Sequence, residues 1–153
     1  KELCRLDEIY SAVKTPFEIR SGSEKVTRRF FKICNNGRES FTGLYKSLTE
    51  QGICKGHQCI AYGLYMRDNG IELSEGLAVY GYSICSAIVT NCVKLVPLSQ
   101  LAGQKILGES FELISSASEK ALFTDINDIG ISGAGFDLRA MQHERLYSRQ
   151  YMS

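Results

Sequence analysis

An all-α fold, a compact multi-helix bundle with a long buried central helix, is what this chain of 153 residues predicts. Three observations carry that expectation. Apolar residues recur at helical spacing along most of the chain. Strand signals are poor, with few alternating runs and no hairpin turn joining them. Glycine and proline cut the sequence into helix-length pieces separated by short breaks, the pattern of a bundle. At 44% hydrophobic, the chain is sized to bury one core.

Residues 1–14 place Leu3, Leu6, Ile9 or Tyr10, and Val13 on one helical face. Thr15-Pro16-Phe17-Glu18 then reads as a helix start, with Thr as cap, Pro in the first turn and Glu as capping-box partner. That helix is expected to reach about Cys34, with Gly22 weakening its second turn and Asn35-Asn36-Gly37 ending it. Residues 38–51 carry Phe41, Leu44, Tyr45 and Leu48 on one stripe, and Gly52 closes them. A helix from about His57 to Asp68 stops at Asn69-Gly70, a good left-handed C-cap.

A long apolar helix over 74–96 follows, stopped by Pro97. Residues 76–93 carry no formal charge, which reaches transmembrane length. Ser83, Ser86, Thr90, Asn91 and two glycines are spread around it, and no cluster of positive charge flanks it. An all-round apolar helix is also the central helix of a soluble bundle, which is the expectation for this one. Residues 98–122 give a further helix, 125–135 a loop, and the last helix runs from Asp137, as N-cap, to near Ser148.

Composition excludes several functions. A net charge of +1 with scattered Lys and Arg lacks the basic patch that nucleic-acid binding needs. No helix has a one-sided basic face with inserting aromatics, so no membrane attachment is expected. The six cysteines read as reduced thiols of a cytoplasmic protein rather than a disulfide framework, because a chain this long does not need staples. Cys85 and Cys92, seven apart in the apolar helix, read as small buried hydrophobes.

Cys54-Lys-Gly-His57-Gln-Cys59 is the sharpest cluster of metal-ligand types. Thiolate and imidazole suit zinc, nickel or copper, but a closed site wants four ligands and no second cluster follows. No metal site is assigned, and His57 is read as a cap or a packed side chain. Gly130-Ile-Ser-Gly-Ala-Gly135 has no preceding strand and no Gly-Lys-Ser/Thr, so it reads as a linker rather than a phosphate loop. Asp125 and Asp128 read as solvated or capping carboxylates, and neither histidine sits in a nucleophile motif. No catalytic set is complete, so no enzyme activity and no cofactor are expected.

The end of the chain, His143-Glu-Arg-Leu-Tyr-Ser-Arg-Gln-Tyr-Met-Ser153, is unusual. Chain ends tend to fray and carry small polar residues, whereas this one is rich in the Tyr and Arg that mark binding hot spots. The bland alternative is an amphipathic last helix with Leu138, Met141, Leu146 and Tyr147 turned inward. Together with Met141-Gln142, this segment resembles the C-terminal signature of the UreF family of urease accessory proteins. Asn91-Cys-Val-Lys-Leu-Val-Pro-Leu-Ser-Gln-Leu-Ala-Gly-Gln104 is similar to that family's helix-Pro-Leu-Gly/Ser-Gln element, and His57-Gln-Cys-Ile-Ala-Tyr-Gly63 to its His-x-x-x-aromatic-Gly helix start. The three occur in the family's order. The family's Gly-rich N-terminal turn has no counterpart, and the chain begins at Lys1, so it reads as the C-terminal part of a longer protein.

The resemblance implies a non-catalytic scaffold in urease maturation. Such a protein binds a UreD/UreH-type accessory protein through its tail, recruits the GTPase UreG, and serves nickel delivery to apo-urease, often as a homodimer. Residues 1–136 are then the helical core, and 137–153 the last helix and partner-binding tail. On the residues that match, Tyr82, Arg139, His143, Glu144, Arg145, Tyr147, Ser148, Arg149, Tyr151 and Met152 are the expected contacts. Tyr82 falls at an aromatic position of the family pattern and reads equally as core; a basic residue carried by some members four positions earlier is Ala78 here. Two other readings stay open. An arginine offered in trans (Arg139, Arg145 or Arg149) would make a GTPase-activating regulator, and Cys54, His57 and Cys59 would make a small metallochaperone.

Overall fold

Every regular element is helical in the computed structural model, which describes residues 1–34, 37, 39–130 and 133–147. Eight α-helices occur among them: α1 (Glu2–Val13), α2 (Phe17–Ile33), α3 (Phe41–Glu50), α4 (Gln58–Asp68), α5 (Leu73–Leu95), α6 (Gln100–Glu109), α7 (Phe111–Leu122) and α8 (Ala134–His143). A 3-10 turn, Ile126–Asp128, precedes α8. The all-α expectation holds. The chain divides into two compact units, one of Lys1–Asn69 with Ile126–Ser153, the other of Gly70–Asp125.

In the first unit, Phe31, Tyr45, Cys54, Ile60 and Ala61 form the buried core, with Leu3, Cys4, Leu6, Tyr10 and Leu48 packed against it. The stripe expected on α3 is rotated. Thr42 and Tyr45 are buried, while Phe41 and Leu44 are half exposed. Phe41 instead lies under the Arg67 guanidinium, 5.3 Å from the ring centroid, a cation–π contact that keeps the ring at the surface.

The reason for the rotation is at the start of α3. Asp68, the last residue of α4, accepts from Phe41 N at 3.1 Å, Thr42 N at 2.8 Å and Thr42 Oγ1 at 2.6 Å. Ser40 adds a cap of its own, its Oγ accepting from Gly43 N at 3.0 Å. Between them they satisfy three backbone N–H groups that helix geometry leaves without partners.

Helix α2 departs from its expected cap. Pro16 occupies the N-cap position and no side chain there accepts a bond from the first turn. Gly22 does not interrupt the helix.

In the second unit α5 is the central element, packed by both α6 and α7. Gly76 is its one buried residue among those described; a three-helix unit covers one side of α5 and leaves the remainder open. For that reason Cys85 is only half buried and Cys92 is exposed, which corrects the expectation that both are core residues. By length and composition α5 is also apolar enough to cross a membrane. Its contact with α6 is close: a Cβ at Gly103 would stand 2.7 Å from Val93 Cγ2 and 3.2 Å from Val89 Cγ1. Only glycine admits the helices to that distance.

Two further boundaries differ from the sequence reading. Residues 98–122 are not one helix but two, because the chain turns at Ser110, whose Oγ donates to Leu107 O at 2.7 Å. The last helix begins at Ala134 with Gly133 as N-cap and ends at His143. Asp137 therefore lies in its first turn, where an acid complements the helix dipole.

Candidate functional site

Polar and aromatic side chains gather at several places among the described residues, and the first is the end of α8. Met141 to Glu144 bring two side chains to the start of α2. His143 Nδ1 lies 2.5 Å from Glu18 Oε2. Glu144 Oε1 accepts from Phe17 N at 2.8 Å. The second bond places a carboxylate on a bare N–H at the positive end of α2. Glu18 thus serves α8 rather than a capping box of its own helix. The sequence marks Glu18 only by local spacing, and its partner is 125 residues away.

Beyond this fastening the side chains face solvent. Arg139 donates from Nη1 to Gln142 Oε1 at 3.0 Å and is exposed. Arg145 is exposed, and Tyr147 is completely so. Leu138, Met141 and Leu146 are exposed as well, so the inward-facing amphipathic alternative does not describe them. Of the expected contacts, His143 and Glu144 are brought together with α2, while Arg139, Arg145 and Tyr147 stand free of the core. Ser148, Arg149, Tyr151 and Met152 lie outside the described residues.

The second place is in the Gly70–Asp125 unit. Tyr82 stacks on Phe111, the ring centroids 5.8 Å apart and the planes within 11°. It lines an apolar cleft of about 450 Å³ with Ala78, Val79, Phe111, Ile114 and Leu122. Tyr82 is partly exposed at this mouth and is not a core residue. No spacing signal marks Phe111, because the apolar pattern over 98–122 runs through the turn that aims it.

The third place is buried, and sequence reasoning missed its centre. Asp7 lies on the α1 face between Leu6 and Tyr10 and is only 2% exposed. Its carboxylate accepts from Tyr45 Oη at 2.5 Å, from Lys55 N at 2.7 Å and from Gly56 N at 3.1 Å. Tyr45 Oη in turn accepts from His57 N at 2.8 Å. A charged residue interrupting the apolar stripe of a short helix was the available signal. Gly56 has φ +87°, and a Cβ there would meet Thr49 Cγ2 at 2.7 Å, so glycine is required at this turn.

The electrostatics follow from burial. Removal from water, reinforced by the bond to Asp7, pushes the Tyr45 phenol well above its ordinary value. Burial pushes the Cys54 thiol up to about 12 and raises the Cys59 thiol. Burial also lowers His57, against the opposing pull of Asp7 and Glu24.

His57 does not cap α4 through its side chain. It packs on the Tyr10 ring at 4.7 Å, and its Nε2 lies 2.7 Å from Ser11 Oγ. Ser11 Oγ also donates to Asp7 O at 2.8 Å, which assigns the His57 proton to Nε2. Among the described residues no three His, Cys, Asp or Glu side chains converge as metal ligands. This arrangement holds the loop before α4.

Comparison with known proteins gives one consistent family. The UreF family model matches residues 1–110. The chain is 34% identical over 152 residues to the urease accessory protein UreF of Actinobacillus pleuropneumoniae, covering 99% of this chain and 67% of the relative. It is 35% identical to that of Haemophilus influenzae, covering 99% and 65%, and 31% identical to that of Paenarthrobacter aurescens, covering 97% and 67%.

Proposed function

The chain belongs to the UreF family of urease accessory proteins, and from that premise we propose a non-catalytic scaffold for nickel insertion into urease. In this reading the C-terminal end binds a UreD/UreH-type accessory protein. The joint surface then recruits the GTPase UreG, and nickel passes to apo-urease as cargo of the assembly. A cytoplasmic location and a paired assembly of the scaffold are parts of the same reading.

The observation that supports it is the way α8 ends. Glu18 and the α2 N-terminus hold His143 and Glu144, while Arg139, Arg145, Leu146 and Tyr147 remain exposed on the same short stretch. An anchored base followed by exposed aromatic, apolar and guanidinium groups is the composition of a docking segment. Aromatic anchors offset the entropy lost when such a segment binds.

Arg149 tests the reading most sharply. A guanidinium holds several acceptors at once in a planar fork. Arg149→Ala is expected to weaken the complex with the UreD/UreH-type protein by about 2 kcal/mol or more, with Lys rescuing poorly. Arg145→Ala, at an exposed position, serves as the reference and should cost about 1 kcal/mol or less. Isothermal titration of these variants, with circular dichroism confirming the fold, decides the matter. Equal small losses would remove the tail as anchor.

A further inference from the structure

Two thiols meet beside the Asp7 network. The Cys54 S–H donates to the Cys4 sulfur across 3.8 Å, joining residues 50 apart in sequence. Cys4 sits in the first turns of α1, half buried, and Cys54 is buried in the segment between α3 and α4. Cys54 is followed directly by Lys55 and Gly56, whose N–H groups hold the Asp7 carboxylate. We propose that Cys4 and Cys54 are a reversible dithiol–disulfide pair which, when oxidised, ties α1 covalently to the loop that grips Asp7.

The chemistry is directional. Cys4 is the sulfur an oxidant reaches first, since Cys54 is buried. With hydrogen peroxide as oxidant, the Cys4 sulfur attacks one peroxide oxygen; the O–O bond breaks, one water leaves, and Cys4 becomes a sulfenic acid. The Cys54 thiol, which burial keeps protonated, passes its proton to the departing hydroxyl as its sulfur attacks the Cys4 sulfur, and a second water leaves. Two thiols lose two hydrogens and the peroxide is reduced to two waters. A neighbouring resolving thiol spares the sulfenic acid from irreversible oxidation. The sulfurs must close to a bond length of about 2.05 Å. Rotation about the two Cα–Cβ bonds moves both sulfurs along that path.

The covalent tie would enclose α2 and α3 in one loop and restrict the unfolded chain, which raises stability. The test uses the whole chain in its folded state, treated with a small excess of hydrogen peroxide. Remaining thiols are then blocked and the peptides mapped by mass. The expected product is a Cys4–Cys54 linked peptide, reversed by dithiothreitol, with the thermal midpoint of the oxidised protein higher by roughly 5 °C or more. Cys4→Ser and Cys54→Ala should each abolish the link. In Cys54→Ala, Cys4 should proceed to sulfinic acid, a readout that a purely structural thiol would not give. Recovery of Cys4 and Cys54 as separate species, or a link that forms only after denaturation, would overturn the proposal, as would an unchanged midpoint in linked protein.

Discussion

Each of the two units has its own kind of internal cohesion. In the first, directional bonds cross between elements: Asp7 binds Tyr45 and the loop before α4, Asp68 binds the start of α3, and Glu18 binds His143. Its fully buried side chains include Thr27, Thr42, Tyr45 and His57, so polar groups are part of its interior. In the second unit the buried residues are Gly76, Gly103, Leu107 and Ile114, and helix contact rests on small residues and fit. Leu73, Val79, Ile84, Ile88, Leu101 and Leu113 there are all exposed. A polar network fixes one arrangement because misplacing any member strands a buried donor or acceptor. Close packing of small and apolar side chains is less exclusive and leaves apolar surface for association.

The largest effect is expected from Asp7→Ala. It strands the Tyr45 hydroxyl and two backbone N–H groups in the interior, and should cost about 3 kcal/mol or more. Urea unfolding followed by circular dichroism measures the loss, and amide exchange should speed up in the first unit and not in α5–α7. Similar acceleration in both units would erase the distinction.

Gly103→Val attacks the second unit instead. The added side chain overlaps Val93 and must push α6 from α5, at a cost of about 2 kcal/mol, typical of overpacking. Exchange should then rise in α5 and α6 while the Asp7 loop stays protected. A variant as stable as the parent would show that the α5–α6 contact contributes little.

A smaller effect, and one that separates the units by pH, comes from His57. Its folded value is depressed by burial, with Arg20 and Lys14 adding to that and Asp7 and Glu24 opposing it. The unfolded chain therefore binds this proton first as pH falls. Stability from neutral His57 is complete above its ordinary value of about 6.5 and declines below it, by at most about 1.4 kcal/mol per pH unit. Denaturation series between pH 7.5 and pH 5 should show that slope, and His57→Gln should flatten it. An unchanged slope in the variant would assign the acid sensitivity elsewhere.

Local signals carried much of the helical fold. Pro16, Gly52, Asn69-Gly70 and Pro97 bounded helices close to where the structure has them, because these residues act on the backbone directly. The break at Ser110 escaped notice because a serine turning back on Leu107 has no compositional mark. The start of α8 was misread because Asp137 has the chemistry of a cap yet lies in the first turn. The surroundings of the proposed docking stretch were less legible. Arg139, Arg145 and Tyr147 are exposed, and Glu18 and the α2 N-terminus were invisible to spacing arguments because their partners come from the far end of the chain. Asp7 was hidden for a different reason, since an acid beside Glu8 on a short amphipathic helix ordinarily reads as surface.

Asp68 is a poor choice for its own helix. A carboxylate at the C-terminal end of α4 faces the negative pole of that helix, where a cation would be favoured. It is compensated on α3, whose first N–H groups it holds. The last turn of α4 and the first turn of α3 are therefore a single thermodynamic object. Fraying at one end releases three donors at the other, so neither helix can unwind gradually from that side. The α3–α4 hairpin should open as one step, and its chain ends should show protection factors that rise and fall in common.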